Sequence, residues 1–332
     1  MAGDPADVER QLAWEAGWRV RAGVAAGAAA VLMLAASVIT LLVTRNAPTV
    51  GLIQGLAGTP SDPGPLRGAA NPPVSPRAAE LAYINSHALG EIVSGMVWAI
   101  AAAGIAIALY YLFQVTRARR PELPPTLRPM ALIGPAGVGL LGATGLGGIV
   151  EAGPVFQVAA ALKAHSFVHG SDHSHHAVVS ARGGVLTVIL ILSLATTLAL
   201  AFAFVFLSLN AMRVGLLSRF MGIVGIFAGV LFVIPFTPLP VVQIFWLGAA
   251  AVLFAGRWPS GMPPAWQTGR AEPWPSQQQM REEREAARRE RQGLPPPEPK
   301  PPEPVVAGDA RSPEPSPAAH PSSKKRKRKR RR

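Results

Sequence analysis

GGVLTVILILSLATTLALAFAFVFLSLNAM, residues 183–212, holds no ionisable side chain between Arg182 and Arg213. A bilayer core about 30 Å thick needs roughly 20 apolar residues in helical form, because the buried backbone must satisfy its own hydrogen bonds there. The stretch exceeds that length. It predicts a transmembrane helix and makes the chain a membrane protein.

Other apolar blocks flank it on both sides. After a short basic turn, Asn210–Gly222, come two shorter runs, 216–234 and 239–255, separated by Pro235, Pro238 and Pro240. Their length suits two tilted or locally thinned crossings, or else a re-entrant hairpin. Upstream lie 22–43, 92–115 and 130–150. With 184–209, these runs predict an all-α fold: a polytopic membrane helix bundle of about six transmembrane helices within residues 22–256. Residues 1–21 read as an amphipathic N-terminus, an interfacial helix with Trp14 and Trp18 four apart on one face. Residues 44–79 and 152–181 read as loops. Residues 257–292 form a Trp/Pro segment followed by a charged helix, and 293–332 a disordered Pro-rich tail with a basic tip.

Small residues recur at helical spacing within the spans. Gly23 and Gly27, and Gly225 and Gly229, are four apart, which lets helices approach closely. The 130–150 run holds Gly134, Gly137, Gly139, Gly142, Gly145, Gly147 and Gly148. Tight packing along the Gly139, Ala143, Gly147 stripe is one reading; a locally unwound helix lining a site is the other.

Charge is unevenly placed over the 332 residues. The formal net charge is +13, of which residues 1–256 carry +4 and residues 257–332 carry +9. Lys324, Lys325, Arg326, Lys327, Arg328, Lys329, Arg330, Arg331 and Arg332 are nine cations in succession. On a cytoplasmic tail they are expected to meet anionic lipid headgroups, or the phosphates of RNA, or an acidic protein. No cysteine is present, which excludes disulfides, thiolate metal sites and cysteine nucleophiles. The first 20 residues mix acidic with basic side chains and lack a short apolar core, so no cleavable signal peptide is expected.

Lys and Arg favour the cytoplasmic side when counted near the spans. The N-terminus, the 115–130 connection and the 210–219 turn carry nine, and the opposite, longer segments five. Both termini are therefore expected in the cytoplasm, with the 183–212 helix running inward. His87, Glu91, Glu151 and the 152–181 loop then share the outer face.

That loop contains His165, His169, Asp172, His173, His175 and His176. A His-rich loop is first read as simply solvated; alternatively its neutral imidazoles and carboxylate suit a divalent metal such as zinc, copper or nickel, or make it pH-sensitive. His87 and Glu91 fall on one helical face, and Glu151 closes a span. Boundary carboxylates face headgroups or, alternatively, mark an ion or proton pathway. GATGLGG (142–148) lacks the Lys-Ser/Thr ending of a phosphate loop, and neither a GxSxG elbow nor an HExxH zinc helix occurs.

At SLNAMRVGLLSRFMGIVG (208–225) and GRWPSGMPPAWQTGRAEPWPS (256–276) the chain resembles a group of bacterial multi-span membrane proteins with no assigned activity. They share the LNAMRxGLLxRFMG turn, a GRWP…PWPS segment after the last span and a basic tip. The resemblance covers chiefly residues 205–280. It implies a bacterial inner-membrane protein and supplies no catalytic residues. The expected function is a non-catalytic membrane scaffold or accessory protein whose basic tail engages anionic lipid or an acidic partner. The alternative is a transporter or ion- or metal-handling protein using the outer-face Glu and His residues.

Overall fold

A computed structural model describes residues 5–48, 78–145, 148–173, 175–235, 239–259, 261–274 and 288. The chain divides into two compact units, Met1–Trp274 and Pro275–Arg332. Of the second unit only residue 288 is described, in helical conformation. The nine terminal cations, the Pro-rich tail and nearly all of the expected charged helix lie outside the described residues.

The first unit begins with α1 (Pro5–Thr44) and α2 (Ala78–Arg119), at 1.5 Å rise per residue about 60 Å and 63 Å long. α3 (Leu127–Leu141) is followed by an antiparallel hairpin, β1 (Gly142–Gly145) and β2 (Gly148–Ala152). Next come α4 (Pro154–Val168), α5 (His175–Arg182) and α6 (Val185–Arg213). α7 (Arg219–Val233), α8 (Val241–Phe254) and the single turn α9 (Ala265–Thr268) complete it. Three helical stretches have the length and apolarity to cross a membrane: Ala6–Thr44, Ala78–Arg119 and His176–Arg213, with mean hydropathy 2.4, 2.2 and 2.6 in their best windows. Three shorter apolar helices, Leu127–Leu141, Arg219–Val233 and Val241–Phe254, pack among them.

α1 and α2 run antiparallel in one register along their length. Tyr111 donates to the Glu15 carbonyl (3.2 Å), Ser94 to the Ala36 carbonyl (3.0 Å), and Tyr83 to the Val43 carbonyl. Alanines make this closeness possible: Ala22, Ala26, Ala29 and Ala36 on α1, and Ala101, Ala102 and Ala108 on α2, are all buried. At Gly104 a Cβ would stand 2.6 Å from the Ala25 carbonyl oxygen. The Gly23 and Gly27 pair packs on Ala251 of α8, and Gly229 of α7 against the Ala201 carbonyl of α6, so both four-residue glycine spacings are helix contacts.

Three expectations are corrected. The N-terminal residues do not form a separate interfacial helix: α1 is continuous from Pro5, because no helix breaker follows and Glu15 is drawn onto Arg119 of α2. The glycine-crowded 130–150 run is not one helix. Gly134 and Gly139 do pack tightly, on Leu200 and Ala102, but the helix stops at Gly142, whose φ of +112° is closed to other residues. Beyond it the chain is the hairpin, bulged between Ala143 and Thr144. Lastly, 152–181 is not a loop. Pro154 opens α4, which packs its Ala164 and Phe167 with Val178 and Ala181 of α5 onto Ala78 and Leu81 of α2.

Candidate functional site

The hairpin is irregular backbone inside a helical bundle. At membrane depth such backbone is tolerated only where protein or water, rather than lipid, surrounds it. Here α6 supplies the partners. Ser193 donates to the Gly142 carbonyl, Thr144 Oγ1 and Ser193 Oγ share a hydrogen bond (2.8 Å), and the Thr144 amide donates to Thr197 Oγ1 (3.0 Å). Thr197 in turn donates to the Ser193 carbonyl (2.8 Å). All three hydroxyl side chains are buried. Across the hairpin, Trp98 of α2 donates to the Val138 carbonyl (2.9 Å) at the end of α3.

Glu151 sits on β2, opposite Ala143 in register, and is 5% exposed. Ser37 of α1 donates to its Oε1 at 2.7 Å. Among the described residues the ion pairs are Asp7–Arg10, Glu15–Arg119 and Glu80–Arg182, so no cation neutralises this carboxylate. Beside it lies a cavity of about 40 Å³ lined by Met33, Trp98, Ala143 and the α7–α8 corner residues Phe232, Pro235 and Gln243. That volume accommodates a water molecule or a bare ion of similar size. One turn of α1 further along, Thr40 Oγ1 meets Ser94 Oγ at 2.6 Å. Two hydroxyl groupings result: Thr144, Ser193 and Thr197 satisfy the hairpin backbone, while Ser37 alone among the described residues is bonded to the buried Glu151 carboxylate.

The remaining expected site residues lie on α2, on α4 and at the start of α5. His87, Glu91 and Gly95 are spaced four apart on α2 and so share one stripe. Gly95 abuts the backbone of Ala152–Pro154, at the end of β2. Glu91 is half-buried; His87 is exposed, stacked on Tyr83 with ring centroids 4.0 Å apart. On α4, His165 contacts Asn85 Oδ1 (3.3 Å) and lies against His169 with the two rings tilted, centroids 4.0 Å apart. His173 meets the Phe167 ring edge-on, while Asp172 and His176 are exposed near Lys163. Among the described residues no three His, Asp or Glu side chains converge as a metal would require. The side chain of His175 lies outside them, as do Lys324–Arg332.

A second polar centre, not anticipated, occupies the opposite end of the bundle. Arg119 and Glu15, separated by 104 residues, form a bidentate pair at 2.6 and 3.0 Å. Arg119 also donates to the Ala265 and Val115 carbonyls, so all five of its N–H groups are used. Tyr111, Phe254 and Trp266 pack ring against ring around this pair, and the Arg19 guanidinium lies 5.4 Å from the Trp266 ring centre. Here too the 208–225 stretch meets residues 261–274. Trp266 Nε1 donates to the Leu216 carbonyl (2.8 Å), Trp274 Nε1 to that of Leu217 (2.7 Å), and the Glu272 amide to that of Val214 (3.1 Å). Residues 261–274 are thus a strap laid over the Asn210–Gly222 turn, whose Asn210 accepts from Arg120 (2.8 Å).

The hydroxyl grouping at the hairpin had a faint signal in the sequence. Ser193 and Thr197 stand four apart in an otherwise apolar run, which puts two polar groups on one face. The Glu15–Arg119 pair had none. No protein-family model, curated protein or solved structure matches this chain.

Proposed function

We propose that this protein is a multi-span membrane protein that binds one small cation, a proton or a sodium ion, at Glu151, as part of an ion-handling or transport activity. The observation that carries this reading is the buried Glu151 carboxylate, held by Ser37 and unpaired with any cation among the described residues. Carboxylates in membrane interiors are costly and mark ion or proton paths, and broken backbone segments are where transporters place such sites. One carboxylate balances one positive charge, which favours a monovalent ion. The Glu151 carboxylate and the Ser37 hydroxyl are hard oxygen donors. Glu91 and His87, on the Gly95 stripe of α2, form the approach from the outer side. In this reading the chain crosses a bacterial inner membrane about six times, with both termini cytoplasmic.

Carbodiimide labelling of the purified protein tests the site, since the reagent modifies protonated carboxyl groups in apolar surroundings. Glu151 is expected to label at low pH and to be protected as pH rises; if sodium is the ion, added sodium also protects. E151Q removes the labelled peptide. Labelling of wild type that is indifferent to both pH and sodium overturns the proposal.

A second reading rests on the nine consecutive cations at 324–332: a scaffold or accessory protein, without catalysis, tethered by its tail to anionic lipid or an acidic partner. Deleting 324–332 should weaken co-sedimentation with anionic vesicles. Unchanged sedimentation, and unchanged RNA binding, removes the tail from the function.

A further inference from the structure

At the Glu15–Arg119 end of the bundle, α1, α2 and α3 leave an open groove of about 530 Å³. Its walls change character along their length. Ala106, Ile107 and Leu132 line the end nearer the bundle centre, Trp14, Trp18, Tyr110 and Tyr111 the middle, and Gln11 and Gln114 the far end. Trp14 and Trp18 remain 36% and 41% exposed although they lie ring to ring in a series with Tyr111. Two cations flank the aromatic section: Arg21 over the Trp18 ring at 5.3 Å and Arg128 over the Tyr110 ring at 5.8 Å. Neither makes an ion pair among the described residues.

We infer that this groove binds a single anionic phospholipid. An acyl chain matches the Ala106, Ile107, Leu132 end, and the ester region matches the aromatic rings, which favour the interface of a bilayer. A phosphodiester with an anionic headgroup supplies the negative charge that Arg21 and Arg128 lack, and the amides of Gln11 and Gln114 suit headgroup hydroxyls. The charge complementarity selects an anionic lipid over a zwitterionic one, because no carboxylate lines the groove to receive a choline or ethanolamine cation. The site is independent of Glu151 and of the C-terminal tail.

Brominated lipids quench tryptophan on contact, so Trp14 and Trp18 report occupancy directly. In mixed micelles of the full-length protein, brominated phosphatidylglycerol should quench at a mole fraction roughly thirtyfold lower than brominated phosphatidylcholine, as two surface cations would produce. The W14F/W18F variant should lose that component, and R21Q/R128Q should bring the two lipids to within about twofold. Ala106→Phe, which fills the apolar end and leaves both arginines in place, should weaken quenching by both lipids. Equal quenching by the two lipids in wild type overturns the inference. So does a preference for phosphatidylglycerol that survives both R21Q/R128Q and Ala106→Phe.

Discussion

Replacing Arg119 by Met tests the packing of the whole Glu15–Arg119 end. The Arg119 and Glu15 side chains are 0% and 4% exposed, and the guanidinium donates five hydrogen bonds. Met fills a similar volume but leaves Glu15 charged and buried, with Gln11 as its remaining side-chain donor (3.0 Å) and the Ala265 carbonyl bare. Breaking a buried pair in this way costs about 3–5 kcal/mol. Removing both charges is far cheaper, so E15M/R119M should recover roughly 2 kcal/mol of that loss, the residue being the unsatisfied Ala265 carbonyl at about 1–3 kcal/mol. Denaturant titration in detergent, followed by circular dichroism, measures all three variants. If R119M lies within about 1 kcal/mol of wild type, or the double variant is less stable than R119M, the pair does not have the buried role its geometry assigns.

Two further outcomes follow from single positions. Gly142→Ala should destabilise by about 1–3 kcal/mol, since a Cβ at φ +112° is strained and would meet the Gly153 nitrogen at 2.9 Å; the same titration measures it, and an unchanged midpoint removes the argument for the helix break. Trp266→Phe keeps the ring packing but loses the bond to the Leu216 carbonyl. It should raise limited proteolysis within 256–274 severalfold, an increase of roughly fivefold per 1 kcal/mol when opening is fast, whereas wild-type resistance would detach the strap from the turn.

Much of the bundle was legible because helix formation in a membrane is a local affair. Residues 183–212 declare themselves without reference to anything else, and α6 fills 185–213. The paired glycines at 23 and 27 and at 225 and 229 announced close helix contacts, though not that α8 and α6 would be the partners. The glycines of 130–150 allowed two readings. The structure uses both, packing through Gly134 and Gly139 and unwinding from Gly142, because Ser193 and Thr197 on a distant helix offer the freed backbone its hydrogen bonds. The α4–α5 pair was missed for the opposite reason. Its histidines and serines read as loop composition, while the alanines and Phe167 that bury it against α2 are few and scattered.

By itself, then, the sequence determined that this is a helical membrane protein, where its strongest spans lie, and that its tail is basic, since hydropathy and charge are sums over neighbouring residues. Tertiary structure alone decided which polar groups are buried and with whom. Glu151 reads as a boundary carboxylate until β2 folds it inward onto Ser37, and Glu15 reads as surface charge until Arg119 reaches it across 104 residues. Those outcomes depend on the register between helices, set by many small contacts such as Gly104 on Ala25, and no local stretch encodes a register.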